Sequence, residues 1–164
     1  VTGVQTCALP IYEGRFFIMA SVLNVAQYVL NKVGDMTTLK LQKLVYYCQA
    51  WSLAWDGKPL FDEEFEAWAN GPVCPELFKK HKGKFVIEKN FLDEYKYDKF
   101  TGEEKETMNV VLKDLGGKSP QWLRDLTHLE RPWKEARKGY APGEICNNII
   151  DKEIMQDYYG GLTE

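Results

Sequence analysis

The 164 residues carry 21 Lys and Arg against 24 Asp and Glu, a formal net charge of −3, with 45% hydrophobic and 13% aromatic residues. A chain of this length buries roughly two-thirds of the surface its unfolded form exposes, enough for one core that needs neither disulfide nor metal, and it is too short for a large multidomain enzyme. The acidic balance argues against a nucleic-acid binder that works by broad phosphate neutralisation, which needs an excess of Lys and Arg.

The opening VTGVQTCALPI resembles a translated sequencing adapter, and Tyr12 to Ile18 a translated leader ahead of a natural start at Met19. Residues 1–18 are therefore expected to be an artefact that makes no packed contacts, and residues 19–164 to form the domain. The basic-then-apolar run from Arg15 to Leu23 imitates a secretion signal, but Asn24 and Gln27 cut it short. No window approaches the ~18 apolar residues of a membrane span, so a soluble, cytoplasmic protein is expected. Cys48, Cys74 and Cys146 then remain, too far apart for a Cys-x-x-Cys or a zinc knuckle, and buried reduced thiols are expected.

Ser21 is placed to cap a helix to about Val33 with Val22, Val25, Ala26, Val29 and Leu30 on one face. From Thr37 or Thr38 to Trp55 apolar residues recur at intervals of three and four and cover most of the surface, which predicts a central helix packed on several sides. Lys40, Gln42, Lys43 and Gln49 concentrate near its start. After Asp56-Gly57, two short strands are predicted around Pro59–Phe61 and Phe65–Trp68, and Asn70-Gly71-Pro72 breaks the chain. Pro75 suits the first turn of a helix that stops near Gly83. Residues 85–98 are irregular, with Phe85-Val86-Ile87 a weak strand candidate.

Thr101 and Glu104 have capping-box spacing for a helix faced by Met108, Val111, Leu112 and Leu115. Ser119-Pro120 opens the next helix, Arg131-Pro132-Trp133 a short one, and Ile145, Ile149, Ile150, Ile154, Met155 and Tyr158 outline a last helix closed by Gly160-Gly161. The fold class expected is mainly α: a single compact helical domain with a small β-hairpin.

Phosphate-cradling loops, nucleotide-binding glycines, His-Glu-x-x-His and nucleophile elbows are not written in the sequence, and no catalytic residue, cofactor or metal site is expected. His81, inside the basic run Lys79 to Lys84, reads as a solvated helix end. His128, beside Thr127, Glu130 and Arg131, is placed for proton transfer or, more simply, to tie a helix junction to a backbone carbonyl; the sequence offers it only Cys74 as a nucleophile. Asp62, Glu63, Glu64 and Glu66 read as a solvated hairpin edge, and Trp51, Trp55, Trp68, Trp122 and Trp133 as core.

An ordered set of segments resembles a known family. These are Lys40-Leu-Gln-Lys-Leu-Val-Tyr-Tyr47 with its Lys40, Lys43, Leu44 and Tyr47, then Trp51, Gly57-Lys-Pro-Leu-Phe61, Phe65-Glu-Ala-Trp68, Asn70-Gly71-Pro72-Val73, and Thr127-His128 with Pro132-Trp133. Together they resemble the Panacea domain, the SocA-like antitoxin domain of bacteria and phages, also met in phage-associated proteins. The resemblance implies a cytoplasmic, non-enzymatic antitoxin that neutralises a co-encoded protein toxin by direct binding; no cofactor and no membrane are expected, and the acidic balance disfavours a nucleic-acid partner. The alternatives are an enzyme using His128 and a nucleic-acid-binding module using Lys79 to Lys84. A docking surface is expected around Phe61 to Phe65 and Phe91 to Phe100, where the periodicity of a buried face is missing.

Overall fold

The computed structural model describes residues 19–96 and 99–163. The expectation about residues 1–18 lies outside the described residues. The first helix, α1 (Val22–Val33), begins where Ser21 and Asn24 cap each other's backbone: Ser21 Oγ accepts from Leu23 N at 3.2 Å and Asn24 Oδ1 from Ser21 N at 2.8 Å. It ends at Gly34, whose φ of +103° suits a residue without Cβ.

After a two-residue strand, β1 (Met36–Thr37), comes the central α2 (Thr38–Trp51), capped by the Thr37 hydroxyl. Every residue from Leu41 to Ala50 is buried, because α2 is covered from several sides by the elements that follow and by α1. Gln42, Lys43 and Gln49, which the sequence places among its polar start, are buried with the rest. The helix leaves through a π-helical turn (Ser52–Asp56), where the buried Ser52 hydroxyl donates to Lys58 O at 2.7 Å.

The predicted strand at Pro59–Phe61 is absent. The Gln49 side chain instead satisfies that backbone, accepting from Leu60 N at 2.7 Å and donating to Phe61 O at 2.9 Å, as a neighbouring strand would. The hairpin consists of β2 (Glu66–Trp68) and β3 (Gly71–Val73), antiparallel with Ala67 opposite Pro72. Asn70-Gly71-Pro72 thus carries the chain into a strand rather than breaking it. Ala67 N donates outward to Asn148 O at 2.9 Å, so proline's missing N–H costs the ladder nothing.

Next come α3 (Pro75–His81) and β4 (Val86–Ile87), which pairs antiparallel with β1. The last four helices are α4 (Gly102–Leu115) with the expected Thr101/Glu104 capping box, α5 (Pro120–Leu129), α6 (Arg131–Ala136) and α7 (Lys152–Gly161). The final helix starts later than the isoleucine spacing predicts. Ile145 is 83% exposed, and residues 148–150 run extended beside β2, with Ile150 N donating to Phe65 O at 2.8 Å; Asp151 is the cap that starts α7. Among the described residues no helix is long and apolar enough to cross a membrane.

The architecture is mainly α, with two small antiparallel pairs of strands. Its large core rings are Tyr46, Tyr47, Tyr159, Phe61 and Phe65 rather than tryptophans. Trp55 and Trp122 are exposed and the other three tryptophans half-buried, because an indole N–H is met more readily at the margin of a core. Burial of Phe61, Phe65, Leu92 and Phe100 also removes the anchors of the docking surface expected there. Cys48, Cys74 and Cys146 are buried free thiols.

Candidate functional site

The residues singled out in the sequence converge where α2 meets the hairpin and the α5–α6 junction. Lys43, on α2, is fully buried beneath β3 and donates to Pro72 O at 3.1 Å. Burial, followed by the nearby Arg124 charge, lowers its pKa from 10.5 to about 7. Gly71 turns over it with φ +108°; a Cβ there would collide with Lys43 Cε and stand 3.0 Å from Thr127 Oγ1. The glycine is therefore required both by the turn and by the lysine beneath it.

One turn along α2, Tyr47 donates to Glu130 Oε1 at 2.7 Å, and Tyr159 of α7 donates to the same oxygen at 2.7 Å. Tyr46 and Tyr159 hydroxyls lie 3.2 Å apart. Burial raises the Glu130 carboxyl above its ordinary value, and burial beside that acid raises the tyrosines. A carboxylate between α5 and α6 thus joins the central helix to the last one.

The His128 ring stacks on Trp133, centroids 3.9 Å apart and 7° from parallel. Its Nε2 is buried with no hydrogen-bond partner among the described residues, so the expected tie to a backbone carbonyl is not the one formed. Burial, helped by Arg124 and Lys43, lowers its pKa to about 4. The junction is instead tied by Trp133, whose indole donates to Trp68 O at 2.9 Å, and by buried Arg137, which donates to Ala67 O at 2.9 Å, Ala141 O at 3.0 Å and Glu144 O at 2.7 Å. Pro132 is buried in the first turn of α6.

Next to Lys43 on α2, Gln42 accepts from Cys74 N at 2.9 Å and lies 3.0 Å from His81 Nε2. His81 is 4% exposed, which corrects its expected place at a solvated helix end. Desolvation lowers its pKa, and a neutral ring can accept from the Gln42 amide. Burial pushes the Cys74 thiol up to about 12, which leaves it protonated and unsuited to nucleophilic attack.

The remaining singled-out residues are dispersed. Lys40 is half-buried on the first turn of α2, Leu44 is core, Phe61 packs on Phe65 at 5.9 Å, and Trp51 packs at a tilt against Tyr159 at 5.4 Å. Among the acids, Glu63 accepts from Val22 N, Glu64 pairs with Lys152 at 2.7 Å, and Glu66 accepts from Trp68 Nε1. Lys79, Lys80, Lys82 and Lys84 are exposed, with Lys80 and Lys84 over the Tyr95 and Phe91 rings. Among the described residues no three His, Cys, Asp or Glu side chains are grouped to hold a metal. Glu130, Arg137 and Tyr159 were not singled out in the sequence. Their signal was slight: a charge inside a helix junction and a tyrosine on an apolar face.

A family profile described as antitoxin SocA-like, Panacea domain, matches residues 41–134. A curated relative, the antitoxin SocA of Caulobacter vibrioides (strain NA1000 / CB15N), is 28% identical over 152 residues, covering 77% of this chain and 78% of that protein. No solved structure matches.

Proposed function

The chain belongs to the SocA-like antitoxin, Panacea domain family, and from that premise we propose that it neutralises a co-encoded protein toxin by binding it directly, in the cytoplasm and without chemistry. One observation carries the proposal beyond the family: the polar groups of three buried or half-buried motif residues are directed at their own chain. Lys43 holds Pro72 O, Tyr47 holds Glu130, and Trp133 holds Trp68 O. Such contacts fix the angle between hairpin, central helix and α6, and they leave recognition to the surrounding surface.

The same geometry disfavours an enzyme centred on His128. Its ring is occupied by the stack with Trp133, and the candidate thiol, Cys74, is buried and protonated at neutral pH. Co-expression with the product of the adjacent gene tests the proposal. That product alone should arrest growth, and this protein should restore growth while co-purifying with it at fixed stoichiometry. A harmless neighbour, or one equally toxic beside well-folded protein, contradicts the proposal.

A further inference from the structure

The π-helical exit of α2 and the outer face of α4 leave an open trough between them. Two adjoining hollows of about 470 and 240 Å³ share Trp55 and Val110. These two apolar side chains are 44% and 47% exposed. Trp55 lies against Trp51 with centroids 4.7 Å apart, and Trp51 is braced by Tyr159, so the aromatic wall is held from the core outward. The trough follows α4 from Glu103 to Leu115, which at 1.5 Å per residue is roughly 18 Å, or about three turns of a partner helix.

Charge at the rim is unequal. Asp56, Glu103 and Glu106 surround the Trp55 end, where Thr107 Oγ1 donates to Asp56 at 2.7 Å and holds that carboxylate in place. Among the ion pairs of the described residues only Lys58 approaches them, 3.9 Å from Glu103. At the other end Lys113 and Asp114 balance. A tryptophan face beside several carboxylates suits guanidinium, which stacks on an indole while donating to carboxylate oxygens. The apolar groove between Trp68 and Ile145 offers no such direction, being lined by no charged side chain.

We propose that this trough receives a basic amphipathic helix of the toxin, which lays apolar side chains over Val110 and sets an arginine against Trp55 between Asp56 and Glu106. The proposal rests on the direct-binding function above and specifies the partner's chemistry and the surface it meets.

The test measures affinity for the purified product of the adjacent gene, using variants whose thermal unfolding matches wild type. Trp55→Ala and Val110→Asp should each weaken binding about tenfold or more. Glu106→Arg should weaken it as well and flatten the loss of affinity seen as ionic strength rises from about 0.05 to about 0.3 M. Ile145→Asp and Leu129→Asp, exposed elsewhere, should stay within about twofold of wild type. Wild-type affinity with all three trough variants unchanged overturns the trough and leaves direct binding standing. A self-dimer dissolved by Val110→Asp assigns the trough to a second copy and overturns it too. Absence of any wild-type complex beside an active toxin overturns direct binding, and the trough with it.

Discussion

At Lys43 an amine is held in the core with a backbone carbonyl as its hydrogen-bond acceptor. Its pKa is about 7 in the folded chain against 10.5 unfolded, so between those values the unfolded state binds more protons. The contribution of this group is therefore fully favourable only above the unfolded value and is lost as pH falls toward 7. Cys48 and Cys74, whose pKa values are raised, act oppositely once unfolded thiols ionise, which confines the useful window to below about pH 8.5. Denaturation at about pH 6.5 and about pH 8.5 should show wild type gaining stability relative to Lys43→Met as pH rises. An equal difference at both values would mean that the amine titrates normally. His128 has its pKa lowered from 6.5 to about 4, so its contribution is present above 6.5 and is lost as pH falls from there toward 4. His128→Phe keeps a ring on Trp133 and removes the titration. Its unfolding free energy should fall less steeply than that of wild type across that acid range, and an unchanged slope would contradict the lowered value.

Among the elements, the junction of α5 and α6 depends on contacts to the hairpin rather than on its own short helices. Trp133 is only half-buried, so Trp133→Ala should cost about 2 to 3 kcal/mol, below the ~3–5 of a fully buried ring. Urea denaturation with an unchanged m-value measures it, and a loss below about 0.5 kcal/mol would show that the indole does not secure the hairpin. The helices beginning after Ser21, Thr101 and Ser119 were legible because each cap and its target lie within three residues of one another. The strand expected at Phe65–Trp68 is β2, but its partner was misplaced at Pro59–Phe61 for the opposite reason. Gln49 supplies the bonds of a strand to Leu60 and Phe61 from another element, and residues 148–150 pair with β2 from much further along the chain. The isoleucines at 145 and 149 have helical spacing, yet Ile145 lies exposed in the loop and the backbone of residues 148–150 is engaged by the β2 segment before α7 begins. In the candidate site, the resemblance made Lys43, Gly71, Pro72, His128 and Trp133 legible as a set. Glu130 was not, because its partners Tyr47 and Tyr159 lie 83 and 29 residues away and no local pattern joins them.

For the whole molecule, the packed frame holds Lys43, Leu44, Tyr47 and Phe61 in its interior while Trp55 faces outward, so the proposed recognition at the trough can be tested apart from stability. Leu44 is completely buried, so Leu44→Asp should abolish binding by unfolding the core, whereas substitutions at Val110 leave the frame intact. Under the proposed function the toxin is held and left chemically unchanged. The most direct measurement is the intact mass and regained toxicity of toxin recovered from the purified complex. Neutralisation by binding alone should give a stoichiometric complex, a toxin mass identical to that of toxin produced alone, and full activity once the two are separated and the toxin is refolded. A toxin of altered mass, or one silenced without ever entering a complex, would contradict it.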